Sequence, residues 1–282
     1  MSNKLSKPIE RRLEKLLENT GDMALKRRAR RIIEELNPQD GDRILDVGCG
    51  DGYYIYLLSN LGLRLELVGT DNDQRALMSA RINLKGKKIR LVQADLMKSL
   101  PFKSQKFDKA IMSEVAEHLP DDVQGLKEVR KVLKKGGRLV LTVPNHNYPF
   151  LWDPVNWTLE HLFNIHIQKG FWAGIWNQHL RLYKPEEIER VVTKAGFKVE
   201  NSKALTFWSL PFNHLLVNLV ARNFYGGRFS PKLAVSVSKF KIAGERAYLI
   251  NFAFKLVNLL DNLNNFYQPK SSGVGVLLKA YR

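Results

Sequence analysis

Five short apolar runs, at 43–47, 65–70, 89–93, 107–113 and 138–143, alternate with segments of helical period at 53–61, 74–85 and 121–135. No other feature constrains the chain as much. Parallel strands cannot be joined by tight turns, and a helix is the usual crossover. The pattern therefore predicts a parallel sheet covered by helices on both faces. Strands that are apolar throughout agree, because both of their sides are buried. Ahead of the first strand, residues up to 37 carry a helical pattern with a break near Thr20-Gly21, closed by Pro38 and Gly41. After the fifth, Pro185, Glu186 and Glu187 mark a helix start and Gly196 its exit, with a strand over 197–205. Residues 274–281 read as one more apolar strand.

The sharpest motif is Asp46-Val47-Gly48-Cys49-Gly50-Asp51-Gly52, between the first strand and its helix. Glycines there let the backbone turn tightly and approach a ligand closely. A dinucleotide fingerprint, G-x-G-x-x-G, would place glycine where Tyr53 stands, and a P-loop would add Lys followed by Ser or Thr. Neither fits the G-x-G-x-G found here. Cys49 serves as a small residue of the loop. Asp46, just before the glycines, can attract an amino group. Asp71 ends the second strand about 20 residues past the loop, where a carboxylate can accept from both hydroxyls of a ribose. Asp95 follows the third strand. Such a ring of acids suits a ligand with cationic centres and no phosphate.

In doubly wound sheets the reacting groups gather beyond the C-terminal ends of the strands. Ser113, Glu114, Glu117 and His118 follow the fourth strand. Glu114, Glu117 and His118 stand at i, i+3 and i+4, which a helical turn would bring to one face. Three roles suit them. His118 can be a general base with Glu117 beside it. The three can bind a divalent metal that lowers the pKa of a hydroxyl. Or the Glu-His pair only caps a helix and braces the loop.

The segments "ILDVGCGDG", "LVGTD", "LVQADL", "FDKAIMSEVAEHLP" and "LKKGGRLVLTVPN" occur in this order. Together they resemble the class I S-adenosylmethionine-dependent methyltransferase superfamily. Within it they are most similar to the branch that includes ubiquinone and menaquinone biosynthesis methyltransferases. The resemblance covers residues 36–205 and is specific to superfamily rather than to substrate. It implies a doubly wound seven-stranded α/β sheet whose last strand is antiparallel. It implies S-adenosyl-L-methionine as cofactor, held by Asp46, Gly48, Gly50, Asp71, Asn72, Asp95 and Leu96, with Cys49, Gly52 and Ser113 in the same pocket. Some quinone-pathway relatives tie a similar Glu-His cluster to metal. Enzymes of this kind that methylate base amines carry an Asn/Asp-Pro-Pro-aromatic motif where Ser113-Glu114-Val115-Ala116 stands. The covalent route to pyrimidine C5 needs a Cys near the substrate, and the single Cys lies in the cofactor loop.

If 197–205 and 274–281 form the closing antiparallel hairpin, the intervening 206–272 is an insertion. The expected organisation is then a helical extension over 1–40 and a core of 41–205 plus 273–282. A lid insertion at 146–182 and a helical insertion at 206–272 complete it. The lid carries Trp152, Trp157, Trp172 and Trp176 and leads to Tyr183, a set suited to walling an apolar or ring-containing acceptor. His146, His161, His166 and His179 are too irregularly spaced for a metal motif and read as solvated or core residues. The insertion combines apolar helix faces with a basic surplus, and Lys26, Arg27, Arg28, Arg30 and Arg31 cluster near the N-terminus. With a net charge of +17, these suit an anionic membrane surface or nucleic acid, while the insertion's apolar faces can equally bury on the core or on a second subunit and the N-terminal cluster can be a solvated helix face. The missing base-amine motif disfavours RNA. The expectation is methyl transfer, preferably to oxygen, on a small-molecule or lipid-like acceptor. An RNA methyltransferase and a non-catalytic cofactor-binding protein are the alternatives. The chain lacks the pattern of a secretory leader or membrane span, so the expected location is cytoplasmic, either soluble or peripheral to the inner face of the membrane.

Overall fold

A computed structural model describes residues 5–18, 20–207, 239–240, 259, 261–262, 264 and 271–282. The amphipathic helices expected over most of 206–272 lie outside the described residues.

Two helices lead, α1 (Lys7–Leu17) and α2 (Met23–Leu36). Asp22 caps α2, accepting from the Leu25 N–H at 3.1 Å, and Asn37 ends it in the left-handed region at φ 45°. The alternating part follows as β1 (Arg43–Val47), α3 (Tyr53–Ser59), β2 (Glu66–Asp71), α4 (Gln74–Asn83), β3 (Arg90–Gln93), β4 (Phe107–Ser113), α5 (Asp122–Val132) and β5 (Leu133–Pro144). Then come α6 (Pro154–Phe163), a 3-10 turn at Phe171–Trp176, α7 (Pro185–Lys194), β6 (Lys198–Leu205) and β7 (Gly275–Tyr281). The strands form a seven-stranded sheet in the order β3-β2-β1-β4-β5-β7-β6. β1 to β5 pair in parallel, and β7 runs antiparallel to both β5 and β6. The closing antiparallel strand expected from the sequence is therefore present.

Side chains alternate across the sheet, so neighbouring residues enter different cores. Ile44, Ile111, Val140 and Leu277 face a core shared with α1, α2, α3 and α4. Leu45, Val47, Met112, Leu141 and Leu278 face a core shared with α5 and α7. One boundary differs from the sequence expectation. The helix pattern over 121–135 stops at Val132, because Leu133 is fully buried in register with Phe107. The Gly136-Gly137 pair that read as a helix stop lies within β5, where Gly136 N–H donates to Arg282 O and Arg282 N–H donates to Gly137 O.

The basic cluster on α2 is neutralised rather than free. Arg27 pairs with Asp261, Arg28 with Glu114, Arg30 with Glu14 and Arg31 with Glu34. Among the described residues no helix is long and apolar enough to cross a membrane.

α2 is fastened to the closing strand by charge. Lys279 is 1 % exposed in β7 and meets Glu35 at 2.9 Å and Glu200 at 2.5 Å, while Lys203 meets Glu35 at 3.0 Å. Burial alone would raise the Glu35 carboxyl, but Lys279 and Lys203 overcome it and hold the group below its usual range. A depressed folded-state pKa adds stability above the unfolded pKa and loses it as pH falls through the folded value. Lys279→Met should therefore cost about 1–3 kcal/mol at neutral pH, because it removes one of the two lysines that compensate the half-buried Glu35 carboxylate and leaves Lys203 alone with it. The deficit should shrink below the ordinary Glu range as Glu35 takes a proton. Urea unfolding of both proteins across that pH range measures it, and a deficit that grows as pH falls would contradict the assignment.

Candidate active site

β1 carries Asp46 into the interior, where it is 2 % exposed, and the chain then turns through Gly48 and Gly50 at φ 68° and 53°. The left-handed backbone suits glycine at both. A Cβ on Gly48 would lie 2.4 Å from Val115 Cγ2, so this loop and the one after β4 touch at bare backbone. A Cβ on Gly50 would meet nothing within 4 Å, so that face of the loop is open. The turn is fixed by three N–H donors. Cys49 donates to Thr70 O at 2.8 Å, Gly50 to Asp71 Oδ2 at 2.8 Å, and Asp73 to Asp71 Oδ1 at 2.9 Å. Asp71 thus positions the loop from the end of β2. Asp46 Oδ2 is buried without a hydrogen-bond partner among the described residues. Burial, with Asp71 and Asp51 adding negative charge, pushes its carboxyl up to about 8. Cys49 is buried and its thiol is raised by burial, which makes it unreactive.

The other expected cofactor residues stand beyond the neighbouring strand ends. Asn72 is exposed and its carbonyl accepts from Gln93 Nε2 at 3.1 Å. Asp95 accepts from the Met97 N–H at 2.9 Å, and Leu96 is buried beside it. Gly52 starts α3 at φ 84°. Ser113 Oγ lies 2.9 Å from the Tyr54 hydroxyl and 2.8 Å from Thr142 Oγ1.

After β4 the expected helical turn over 114–118 forms only as a 3-10 turn at Ala116–His118. Glu114 takes the left-handed region at φ 54°, uncommon for a side chain of this size. It is held there from two sides. Its N–H donates to Thr142 O at 2.9 Å, and its carboxylate pairs with Arg28 of α2 at 2.6 Å. Burial would lower the Arg28 guanidinium, but Glu114, Tyr54 and Asp22 raise it above its ordinary value. The Glu114 carboxylate is thus committed to Arg28 rather than joined with Glu117 and His118, and a different residue completes a set of three with them.

That residue is His179, from the stretch before α7. Glu117 is fully buried, and neither carboxylate oxygen has a hydrogen-bond partner among the described residues. Burial, then the charge of Glu114, raises its carboxyl well above the usual range. His118 Nδ1 is 3.0 Å from Gln178 O, and His179 Nδ1 is 2.5 Å from Ile175 O. A carbonyl oxygen only accepts, so each ring carries a proton on Nδ1, and the neutral form of each ring then has its lone pair on Nε2. Those Nε2 atoms lie 3.7 Å and 3.9 Å from Glu117 Oε1. Burial, then His118, lowers the His179 pKa and keeps that ring neutral. One ligand atom from each of Glu117, His118 and His179 falls within 4.8 Å of the others. With Glu117 ionised and both rings neutral, three lone-pair acceptors converge, an arrangement suited to a proton, such as the one the raised Glu117 carboxyl retains, or to a cation at its centre.

The aromatic wall divides into two parts. Trp152 and Trp176 are buried with Tyr148, Ile175 and Leu182, and Trp157 packs against them. Glu160 accepts from Tyr148 Oη at 2.5 Å and from Trp176 Nε1 at 2.6 Å. Tyr183 is buried and donates to Asp122 at 2.7 Å, which makes it a brace. Phe150, Leu162, Phe163, Ile165, Phe171 and Trp172 are exposed.

The sequence pattern did not disclose His179, Arg28, Tyr54 or Thr142. His179 lies 61 residues beyond His118 with no fixed spacing, and Arg28 hides in a basic run. The i, i+3, i+4 rule assumed a helix that the positive φ at Glu114 prevents.

A family model described as a methyltransferase domain matches residues 45–141. The chain is 27% identical over 199 residues to a ubiquinone biosynthesis O-methyltransferase of Dinoroseobacter shibae, covering 67% of this chain and 76% of that protein. Among solved structures it resembles phosphoethanolamine N-methyltransferase 2 of Haemonchus contortus in complex with S-adenosyl-L-methionine. There the TM-score is 0.55 at 17% identity, over 90% of this chain and 52% of that one. An S-adenosylmethionine-dependent methyltransferase of Mesorhizobium loti gives a TM-score of 0.51 at 18% identity, over 92% and 98% of the two chains.

The contact at Gly48 yields a test. Gly48→Ala should destabilise by about 1–3 kcal/mol, from strain at positive φ plus overlap with a stiff β-branched neighbour. Adding Val115→Ala should recover the overlap but not the φ strain. Urea midpoints of the single and double variants decide it, and no recovery in the double variant would deny the close approach of the two loops.

Proposed function

Because the chain belongs to the class I S-adenosylmethionine-dependent methyltransferase superfamily and is an enzyme of that kind, we propose that it methylates a hydroxyl on a small, apolar or lipid-like acceptor. The observation that carries this reading is the acceptor-only cluster of Glu117, His118 and His179 beyond β4. A hydroxyl must lose its proton to become a good nucleophile, and His118 offers an Nε2 lone pair for it. His118 is the accessible member of the three, with a side chain 40% exposed, while Glu117 is fully buried.

The glycine loop fits the cofactor. Asp46 presents a buried, unpartnered oxygen for the amino group, and the open face at Gly50 leaves room for the ligand against the main chain. Asp71, with Asn72 beside it, suits the ribose hydroxyls, and Asp95 with Leu96 suits the adenine. When bound, the cofactor supplies a methyl group on a positively charged sulfur. The chain's task is to hold the acceptor in line with that methyl and keep water away. The aromatic wall around Trp152, Trp157 and Trp176 suits the second task. The exposed apolar side chains around Phe163 and Trp172 suit an acceptor taken from a lipid surface.

The same cluster favours a second reading, in which Glu117, His118 and His179 hold a divalent cation. Their Nδ1 contacts to backbone carbonyls are the usual way a protein orients metal-binding imidazoles. Such an ion would lower the pKa of an acceptor hydroxyl.

His118→Ala should keep cofactor affinity and lose turnover by about 10² or more. Methyl-labelled cofactor incubated with phenolic and lipid fractions, followed by mass spectrometry for ether products, supplies the assay. Activity abolished by a chelator and restored by Mg²⁺ selects the cation reading. Unchanged turnover in His118→Ala removes both. Labelled RNA, with binding that falls steeply with salt, would transfer the chain to the RNA alternative.

Asp46 adds a pH signature. With its carboxyl pushed up to about 8, the ligand-free protein holds a proton there below that pH. A cationic ligand selects the carboxylate, so binding releases this proton and affinity rises as pH approaches 8. Calorimetry in buffers of different ionisation enthalpy should show the release, and Asp46→Asn should abolish it. An affinity for S-adenosylmethionine that is flat with pH would refute the assignment.

A further inference from the structure

Asp51 lies inside the glycine loop, and Tyr53 opens α3 directly after it. Two residues from the long connection between β6 and β7 sit on this point. Lys239 Nζ is 2.8 Å from Asp51 Oδ2 and 4.8 Å from the centre of the Tyr53 ring. Phe240 meets Tyr53 edge-on, with centres 5.9 Å apart, and Tyr56 with centres 5.4 Å apart. On its other side the Tyr53 hydroxyl lies 2.6 Å from Thr20 Oγ1, in a buried contact with the break between α1 and α2.

α3 needs such support. It starts at Gly52 with no side-chain cap, and the loop before it turns through glycines, which lose the most conformational freedom on ordering. Gly50 N–H, tied to Asp71, belongs to the same short span. Whatever fixes Asp51 and Tyr53 therefore fixes the main chain that faces the cofactor. An ion pair with both side chains part-buried, 30% and 39% exposed, stacked on an aromatic ring, supplies a directional hold that an apolar contact alone lacks.

We propose that Lys239 and Phe240 are positioning residues for the cofactor loop, so that a segment outside the sheet sets the affinity for S-adenosylmethionine. This rests on the cofactor assignment and is independent of the acceptor. The core holds the same loop through Asp71 and through Asn83 of α4, whose Nδ2 donates to Asp51 O at 3.0 Å, and Lys239 and Phe240 add a second hold on Asp51 and Tyr53 from the connection that separates the closing strands.

Calorimetry with S-adenosylmethionine and S-adenosylhomocysteine on the full chain tests it. Lys239→Ala and Phe240→Ala should each raise Kd about fivefold. The loss should be equal for both ligands, because a misplaced main chain serves neither. Lys239→Arg should restore affinity to within about twofold, since the longer cation keeps both the pair and the ring contact. Asp51→Asn combined with Lys239→Ala should be no weaker than Lys239→Ala alone, as coupled partners require. A thermal melt accompanies each variant, and Phe240→Leu replaces Phe240→Ala if the latter does not fold. Unchanged Kd in Lys239→Ala would overturn the proposal. So would a gain for the sulfonium ligand alone, which would mean that Lys239 acts only as a distant like charge.

Discussion

The sheet is incomplete until the last strand enters it. β7 lies between β5 and β6 and runs against both, so neither neighbour is paired to the other without it. The site depends on this closure, because β5 is the strand whose far end orders the groups around β4. Thr142 holds Ser113 through its hydroxyl and Glu114 through its carbonyl. Two residues on, Pro144 O accepts from the Tyr183 N–H, and the Asn145 N–H donates to Val274 O. The Asn145 side chain reaches Ser271 O at 2.9 Å, which ties the exit of β5 to the approach of β7. Placing the end of the chain thus places the wall of the active site. The buried Lys279 extends the coupling to α2, whose Arg28 returns to Glu114.

Charge at the site is arranged by burial more than by pairing. Asp46 Oδ2 and both Glu117 oxygens are taken out of water without a hydrogen-bond partner among the described residues, and both carboxyls are raised by the loss of hydration first and by a neighbouring acid second. Glu114 is treated differently, compensated by Arg28. An unpaired buried carboxylate is costly, and proteins keep one where a ligand will meet it. The two unpaired acids stand at separate places, one under the glycine loop and one under the histidines. One suits a fixed cationic ligand, and the other suits a proton or ion in transit.

Much of the fold was legible because it follows from periodicity. Apolar runs of strand length, each followed by a helix, leave few arrangements besides a parallel doubly wound sheet, and the glycine spacing separated one nucleotide-type loop from another. The closing strand was legible from the apolar character of 274–281, and its antiparallel direction only from the resemblance to the superfamily. The end of α5 was not, because Lys134, Lys135 and the two glycines look like a helix exit, and only the pairing of Leu133 with Phe107 pulls them into the sheet. Chemistry was less visible than fold. A rule of i, i+3, i+4 finds partners on a helix, and Glu114 leaves the helix through a positive φ. His179 arrives from another part of the chain, by a contact that no local pattern encodes.

The cluster of Glu117, His118 and His179 is therefore not a property of the doubly wound core alone. Glu117 and His118 come from the loop after β4, but His179 and the carbonyls that orient both rings come from the stretch leading to Tyr183. Leu180 N–H also donates to Glu117 O at 3.1 Å, so the aromatic insertion is hydrogen-bonded to the catalytic loop itself. In the proposed function, the insertion that would wall the acceptor is the same one that brings His179 to Glu117 and His118. Trp176 packs beside Ile175 in the same buried cluster, and the carbonyls of Ile175 and Gln178 orient the two rings. Under the proposed function, acceptor shape and proton removal would then be joined through this backbone, and selectivity would follow from geometry shared by both tasks.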